Sequence, residues 1–249
     1  MAELYSAIHE RMTERELATG DKRPTASELV EALGRFSIQP AGVALDAGCG
    51  GTLSLSIACA EHGFTRVEAV DLNERSLHHA CGVIARTGHS AIDLCRASVT
   101  SLPFPNAAFD FAICSGVAHH TPEPEAVIQE LHRVLKTGGV LYISLYSFAG
   151  SLSELMVRGL RRLGTLVRFK RLHQLVGSNQ TINNFVLDHM YVPILWIFRA
   201  EEVREMLGRH GFAITQEWAS KMDPLVRYGR LGRLMSGDGL IRVWLCRKT

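Results

Sequence analysis

Between residues 43 and 146, short apolar runs alternate with stretches whose apolar positions recur at helical spacing. Residues 43–46, 67–71, 91–96, 109–114 and 140–146 read as strands, apolar on both sides. Residues 52–61, 75–87 and 124–135 read as helices, the last with apolar residues at 127, 128, 131, 134 and 135 and with Gly138 and Gly139 as its terminator. The pattern breaks at 147–190, which is rich in Arg and Leu and carries no strand signal. It resumes with a helix at 200–209 and strands at 212–218 and 240–246. Strands without internal alternation belong to a sheet covered on both faces. The expected fold is therefore α/β: a Rossmann-like, doubly wound, mostly parallel seven-stranded sheet with a helical insertion acting as a lid. Ahead of it, 4–18 reads as a short, partly exposed helix, and 26–36 as a second one, capped by Thr25 or Ser27 and stopped at Pro40. The expected division is a helical cap at 1–40, a main domain at 41–146 and 191–249, and the inserted lid at 147–190.

A chain of 249 residues, 47% hydrophobic and 21% charged, suits one such domain with an insertion. The formal net charge of +2 is too small to argue for a nucleic-acid or membrane partner. Six cysteines, none in a C-x-x-C pair, read as reduced and mostly buried. The first fifteen residues lack the basic start and apolar run of a secretory signal, and the apolar stretch 191–198 is short and holds Pro193, so a cytoplasmic protein without a transmembrane segment is expected.

Candidate chemistry begins with the string LDAGCGG at 45–51, where a strand enters a glycine turn and then a helix. Glycines let the backbone come close to a ligand, and the helix start offers free N–H groups. Gly48 and Gly50 fit the first two positions of G-x-G-x-x-G, but Leu53 occupies the third, which disfavours a dinucleotide pyrophosphate. Asp71 ends the second strand about twenty residues on, where a carboxylate can accept ribose hydroxyls. A glycine turn without the pyrophosphate fingerprint, together with a ribose-binding acid, suits an adenosine-type ligand.

Here the chain resembles the class I S-adenosylmethionine-dependent methyltransferases. DAGCG at 46–50 is similar to their first motif and VDLN at 70–73 to their acidic second. SLPFP at 101–105, followed by Phe109 and Asp110, resembles the stretch before the fourth strand. SGVAHH at 115–120 resembles the following loop in the subgroup that includes quinone-biosynthesis enzymes. VLKTGG at 134–139 resembles the turn into the fifth strand, with Thr137 where proline is usual. The resemblance implies S-adenosylmethionine as cofactor, S-adenosylhomocysteine as product, and no metal. It places Gly48, Cys49 and Gly50 against the amino-acid portion and Asp46 as orienting the turn or, through water, the ammonium. It gives Asp71 the ribose, Leu72 the adenine face, the Val99 N–H and Ser98 the adenine edge, and Ser115 a place beneath the methionine. Ser98 stands where many relatives carry Asp.

The implied reaction is methyl transfer to a small-molecule O, N, S or C nucleophile. His119 and His120 are the candidate bases, since imidazole titrates near neutrality. Tyr5, His189 and Tyr191 are candidate substrate contacts, with Met190 beside them. In the insertion, Leu152, Leu155, Met156, Leu160 and Leu163 share one helical face, and Arg158, Arg161 and Arg162 lie around the other, followed by Arg168, Lys170 and Arg171. This basic amphipathic helix reads first as a lid with its apolar face packed down. An anionic substrate, a carrier protein, RNA or a membrane surface are the alternatives for its basic face. An RNA or tRNA methyltransferase using that insertion, and a non-catalytic interaction protein on the cofactor fold, are the rival functions. Against RNA stand the lack of a separate binding module and of an N-P-P-Y-type loop after the fourth strand.

Overall fold

The computed structural model describes residues 24–36, 38, 42–164, 189, 192–221, 229–237 and 239–249. Its elements in chain order are α1 (Pro24–Arg35), β1 (Val43–Ala47), α2 (Ser54–His62), β2 (Arg66–Asp71), α3 (Glu74–Thr87), β3 (Ile92–Arg96), β4 (Phe109–Ser115), α4 (Pro124–Val134), β5 (Leu135–Tyr146), α5 (Leu152–Gly164), α6 (Ala200–Arg209), β6 (Phe212–Ala219), α7 (Gly229–Ser236) and β7 (Ile241–Lys248). The strands form one seven-stranded sheet in the order β3-β2-β1-β4-β5-β7-β6. Strands β1 to β5 are mutually parallel, and β7 runs antiparallel between β5 and β6.

Successive residues of a strand point to opposite faces, and both faces here are covered. Ala44, Phe111, Ile113 and Tyr142 pack with Leu29 and Leu33 of α1, Cys59 of α2 and Ala80 of α3. Their neighbours Leu45, Ala112, Cys114 and Leu141 pack with Ile128 and Leu131 of α4 and Val203 of α6. That two-sided burial is why the strands read as unbroken apolar runs. Helix α1 is locked onto the sheet edge by the buried Glu28, which accepts from Trp218 Nε1 (2.7 Å), Ser220 Oγ (2.7 Å) and Lys221 N (3.0 Å).

Two expectations need correction. Gly138 and Gly139 do not end a helix: α4 stops at Val134, and β5 begins at Leu135. Phe109 pairs with Leu135, but Phe111 pairs with Val140, so residues 136–139 bulge from the ladder. Gly138 turns there with φ +77°, and a Cβ on Gly139 would lie 2.8 Å from the Lys136 carbonyl oxygen. Helix α5 forms where expected, but rotated. Ser153 and Val157 are buried, and Arg161 is half-buried, whereas Leu152, Leu155 and Met156 are exposed. Its apolar ridge is not packed down as a lid face, and one of its arginines points inward. Arg168, Lys170 and Arg171 lie outside the described residues.

Candidate active site

The order of chain connection reverses between β1 and β4, so the carboxyl ends of β1, β2, β4 and β5 surround a crevice of the kind that binds ligands in open α/β sheets. On the β1–β2 side, the turn after β1 is held by backbone and carboxylate together. Gly48 N and Cys49 N both donate to the Val70 carbonyl oxygen at 2.8 and 2.9 Å. Gly50 N donates to Asp71 Oδ2 at 2.9 Å, and Asn73 N to Asp71 Oδ1 at 2.8 Å. Gly48 and Gly50 have φ of +95° and +62°, a region that disfavours side chains. A Cβ on Gly48 would come within 2.3 Å of Val117 Cγ2, so the β4 loop presses directly on this turn.

Gly50 N and Asn73 N take one Asp71 oxygen each, with the Leu72 amide close by, and a carboxylate with about four acceptor sites retains capacity for a ligand hydroxyl. Burial is the largest influence on its pKa and raises it, against the lowering effect of the amides. Leu72 beside it is 65% exposed, an apolar surface at the crevice that a flat ring can cover. Asp46 is buried, accepts from Ser56 Oγ at 2.6 Å, and has its pKa pushed up to about 6 by burial, with a smaller contribution from Asp71. The Cys49 thiol is pushed well up by burial and then by Asp46 and Asp71, which makes it an inert part of the turn rather than a nucleophile. Helix α2 is preceded by Leu53 at its N-cap, which is left-handed (φ +54°) and offers no side-chain cap. On the β3 side, the Ser98 and Thr100 hydroxyls lie 2.7 Å apart, and the Val99 N–H donates to no described residue. Ser115 Oγ lies 2.9 Å from Ser144 Oγ, linking the ends of β4 and β5.

Across the crevice, the structure brings together three of the histidines singled out from the sequence. His119 and His120 form a 3-10 turn after β4. The His119 ring centroid is 4.3 Å from that of His120 and 4.1 Å from that of Tyr146, and the Tyr146 ring is 4.9 Å from His189. His119 is fully buried, and its Nδ1 has no hydrogen-bond partner among the described residues. Burial, then His120 and His189, hold its pKa well below the usual imidazole value. The pKa of His120 is also lowered by burial, partly opposed by its hydrogen bond to Ile194 and reinforced by Arg161. Its Nδ1 lies 3.1 Å from the Ile194 carbonyl oxygen. A carbonyl only accepts, so Nδ1 carries the proton and, in the neutral ring, Nε2 carries the lone pair.

Several functional neighbours escaped the sequence reading. Tyr146 served there only as a strand end. Arg161 was assigned to the outer face of its helix, yet it donates to the carbonyl oxygens of His189 and Pro193, both at 3.3 Å. Trp196 N donates to the His119 carbonyl and its Nε1 to that of Thr121, which straps 192–198 over the histidine turn. Ser56 and Val117 support the glycine turn from distant positions. No local pattern signals any of these, because each depends on which elements the sheet order places side by side. Tyr5, Met190 and Tyr191 lie outside the described residues. Among the described residues no group of His, Cys, Asp and Glu could hold a metal ion.

Comparison with known proteins agrees with this geometry. Residues 45–143 match a family model described as a methyltransferase domain. The chain is 38% identical over 100 residues to a ubiquinone biosynthesis O-methyltransferase of Idiomarina loihiensis, covering 40% of each chain. It is 32% identical over 164 residues to a malonyl-[acyl-carrier protein] O-methyltransferase of Serratia marcescens, covering 61% of each. Both matches thus span less than two thirds of the relative's length. Among solved structures, the [4+2]-cyclase SpnF superimposes with a TM-score of 0.61 at 19% identity, over 90% of this chain and 81% of the other, a likeness of fold. Motifs, topology and family match coincide on one segment: residues 45–143 match a methyltransferase domain and contain the parallel strands β2, β3 and β4 of this sheet.

Proposed function

We propose that the protein transfers the methyl group of S-adenosylmethionine to a small-molecule acceptor and releases S-adenosylhomocysteine. The observation that carries this reading is the Asp71 carboxylate, which holds the glycine turn through Gly50 while keeping lone pairs for a diol. Gly48, Cys49 and Gly50 give the amino-acid portion of the cofactor a surface without side-chain obstruction, and Asp46 faces its ammonium through water. Leu72 covers the adenine, the Val99 N–H and Ser98 hydroxyl read its edge, and Ser115 lies under the methionine. When bound, the cofactor supplies a methyl group already activated on a sulfonium, so the chain's own work is alignment and proton removal.

His120 Nε2 is the proton acceptor in this reading. Its Nδ1–H is fixed on Ile194, and its lowered pKa keeps the ring neutral at pH 7. His119, more deeply buried, positions His120 and Tyr146. His189 and Arg161 border the acceptor, and the guanidinium favours an anionic one. The relatives' names, a ubiquinone biosynthesis O-methyltransferase and a malonyl-[acyl-carrier protein] O-methyltransferase, favour a biosynthetic acceptor over nucleic acid. Six free cysteines fit a reducing, cytoplasmic setting.

Calorimetric titration with S-adenosylmethionine and S-adenosylhomocysteine, with NAD as control, tests the cofactor. Micromolar binding of the first two and none of NAD is expected, and no binding of either overturns the reading. With an acceptor in hand, His120→Gln lowers turnover roughly 100-fold or more with little change in cofactor affinity. Unchanged turnover removes His120 from proton transfer.

A further inference from the structure

Helices α5 and α7 are the least conventional surface of the molecule. An amphipathic helix on a sheet normally turns its apolar stripe inward. On α5 the inward positions are Ser153, Val157 and Arg161, while Leu152 (53% exposed), Leu155 (68%) and Met156 (43%) form an outward ridge at i, i+3 and i+4 spacing. Helix α7, which packs beside α5, exposes Leu231 (59%). Seven large apolar residues are exposed among the described residues, and four of them sit on these two helices, so the apolar surface is concentrated rather than scattered.

Charge is concentrated in the same place. On the outward side of α5 and α7 stand Arg158, Arg162 and Arg230, and the only acid in these two helices is Glu154. Glu154 is turned into the protein, accepting from Gly150 N and pairing with Arg158 at 2.7 Å, so it presents little negative charge outward. Arg158, Arg162 and Arg230 are exposed. Aliphatic side chains at the crest of a helix, flanked by arginines, match an interface helix whose apolar side chains enter the acyl boundary while cations meet anionic headgroups.

We propose that the α5–α7 surface docks the protein reversibly onto an anionic lipid bilayer, with Leu152, Leu155, Met156 and Leu231 entering the headgroup boundary and Arg158, Arg162 and Arg230 contacting acidic headgroups. The docking is peripheral and independent of the methyltransferase reading.

Sedimentation of the full chain with vesicles tests it, comparing phosphatidylcholine alone with equal parts phosphatidylcholine and phosphatidylglycerol. Partition onto the mixed vesicles should exceed that onto neutral ones by tenfold or more and should fall when salt is raised to about 1 M, where the Debye length shrinks to about 3 Å. Leu155→Glu with Met156→Glu should reduce partition by at least about tenfold. Because both side chains are exposed, the unfolding midpoint should stay at the wild-type value. Arg158→Gln with Arg162→Gln leaves the ridge intact and should cost about fivefold per charge on mixed vesicles alone. Equal partition onto both vesicle types, or wild-type partition of the glutamate variant, overturns the proposal. So does binding to an acidic protein with no binding to either vesicle.

Discussion

Replacing Asp71 by Asn separates two tasks that one carboxylate performs. In the protein alone, Oδ2 and Oδ1 accept from Gly50 N and Asn73 N at 2.9 and 2.8 Å. Whichever way an Asn side chain sits, one of these amides faces its NH2 group and loses its acceptor. A hydrogen bond to a charged group contributes about 1.5–3 kcal/mol, and the surviving one weakens as its acceptor becomes neutral. Against this, burial raises the pKa of Asp71, so removing the charge recovers part of the desolvation cost. The net loss of stability is on the order of 2 kcal/mol, read as a lower urea midpoint at unchanged slope. In the proposed complex, two further bonds come from the ribose hydroxyls and form only with cofactor bound. Asn replaces them in part, so S-adenosylmethionine binding should weaken by about 2–3 kcal/mol, roughly 30- to 160-fold in Kd by calorimetry. A fall in stability with unchanged Kd would leave Asp71 as a fastener of the turn and refute the ribose assignment. If both quantities stayed at wild-type values, the hydrogen bonds themselves would be wrong.

Three other perturbations probe the same architecture. Asp46 titrates near pH 6, so cofactor affinity should rise as pH climbs from 5 to 7 and its carboxylate ionises; Asp46→Asn should flatten that rise, and an equally steep profile in the variant assigns it to another group. Gly48→Ala combines a φ of +95° with a Cβ 2.3 Å from Val117 Cγ2, which should cost about 2–3 kcal/mol of stability; adding Val117→Ala should restore part of it, and strictly additive losses would refute the contact. Glu217 accepts from Arg204, Arg242 and Trp244, and its pKa is lowered to about 2, chiefly by the Arg204 hydrogen bond. A depressed carboxylate stabilises above its unfolded pKa near 4.5 and loses that contribution as pH falls towards 2; with Arg204 40% exposed, the contribution is on the order of 1–2 kcal/mol. Urea midpoints of wild type and Glu217→Gln should therefore differ at pH 7 and converge near pH 2, and a constant difference across that range would count against the linkage.

The sheet was legible because two-sided burial leaves a strong trace. Leu45 and Ala44 both face helices, as do Ala112 and Phe111, so the strands could not be mistaken for surface alternation. The glycine turn and Asp71 were legible for a related reason: positive φ and a close backbone approach confine the choice of residue at Gly48 and Gly50. The histidine cluster was legible only in pieces. His119 and His120 stand out as neighbours in the chain, but their contact with Tyr146 and His189 depends on β5 lying beside β4 and on 192–198 returning over the loop. Helix α5 shows the opposite failure. Its apolar period predicted a buried Leu155, but a period reports which residues share a face, not whether that face meets the protein. The bulge at 136–139 was misread because a glycine pair serves equally to end a helix and to offset a strand register.

The two ends of the sheet divide the labour by the kind of polar group they carry. At the amino ends, charges are paired off: Asp110 accepts from Val43 N and Lys136 Nζ, and Arg133 is engaged by Glu130 together with the carbonyls of Leu102 and Phe104. Those groups spend their hydrogen-bonding capacity within the protein. At the carboxyl ends the carboxylates and imidazoles are buried but incompletely paired with other charges: the pKa values of Asp46 and Asp71 are raised, and those of His119 and His120 lowered, with burial the largest cause in every case. All four are pushed towards neutrality, acids and bases alike, which is the signature of desolvation rather than of ion pairing. Such groups gain most from a ligand that brings a compensating charge or a donor, an ammonium towards Asp46 and ribose hydroxyls towards Asp71. The same shortage of internal partners that makes this end costly to fold is what gives it free energy to release on binding, and it supports the proposed site at the β1–β2–β4–β5 rim over the charge-paired opposite edge.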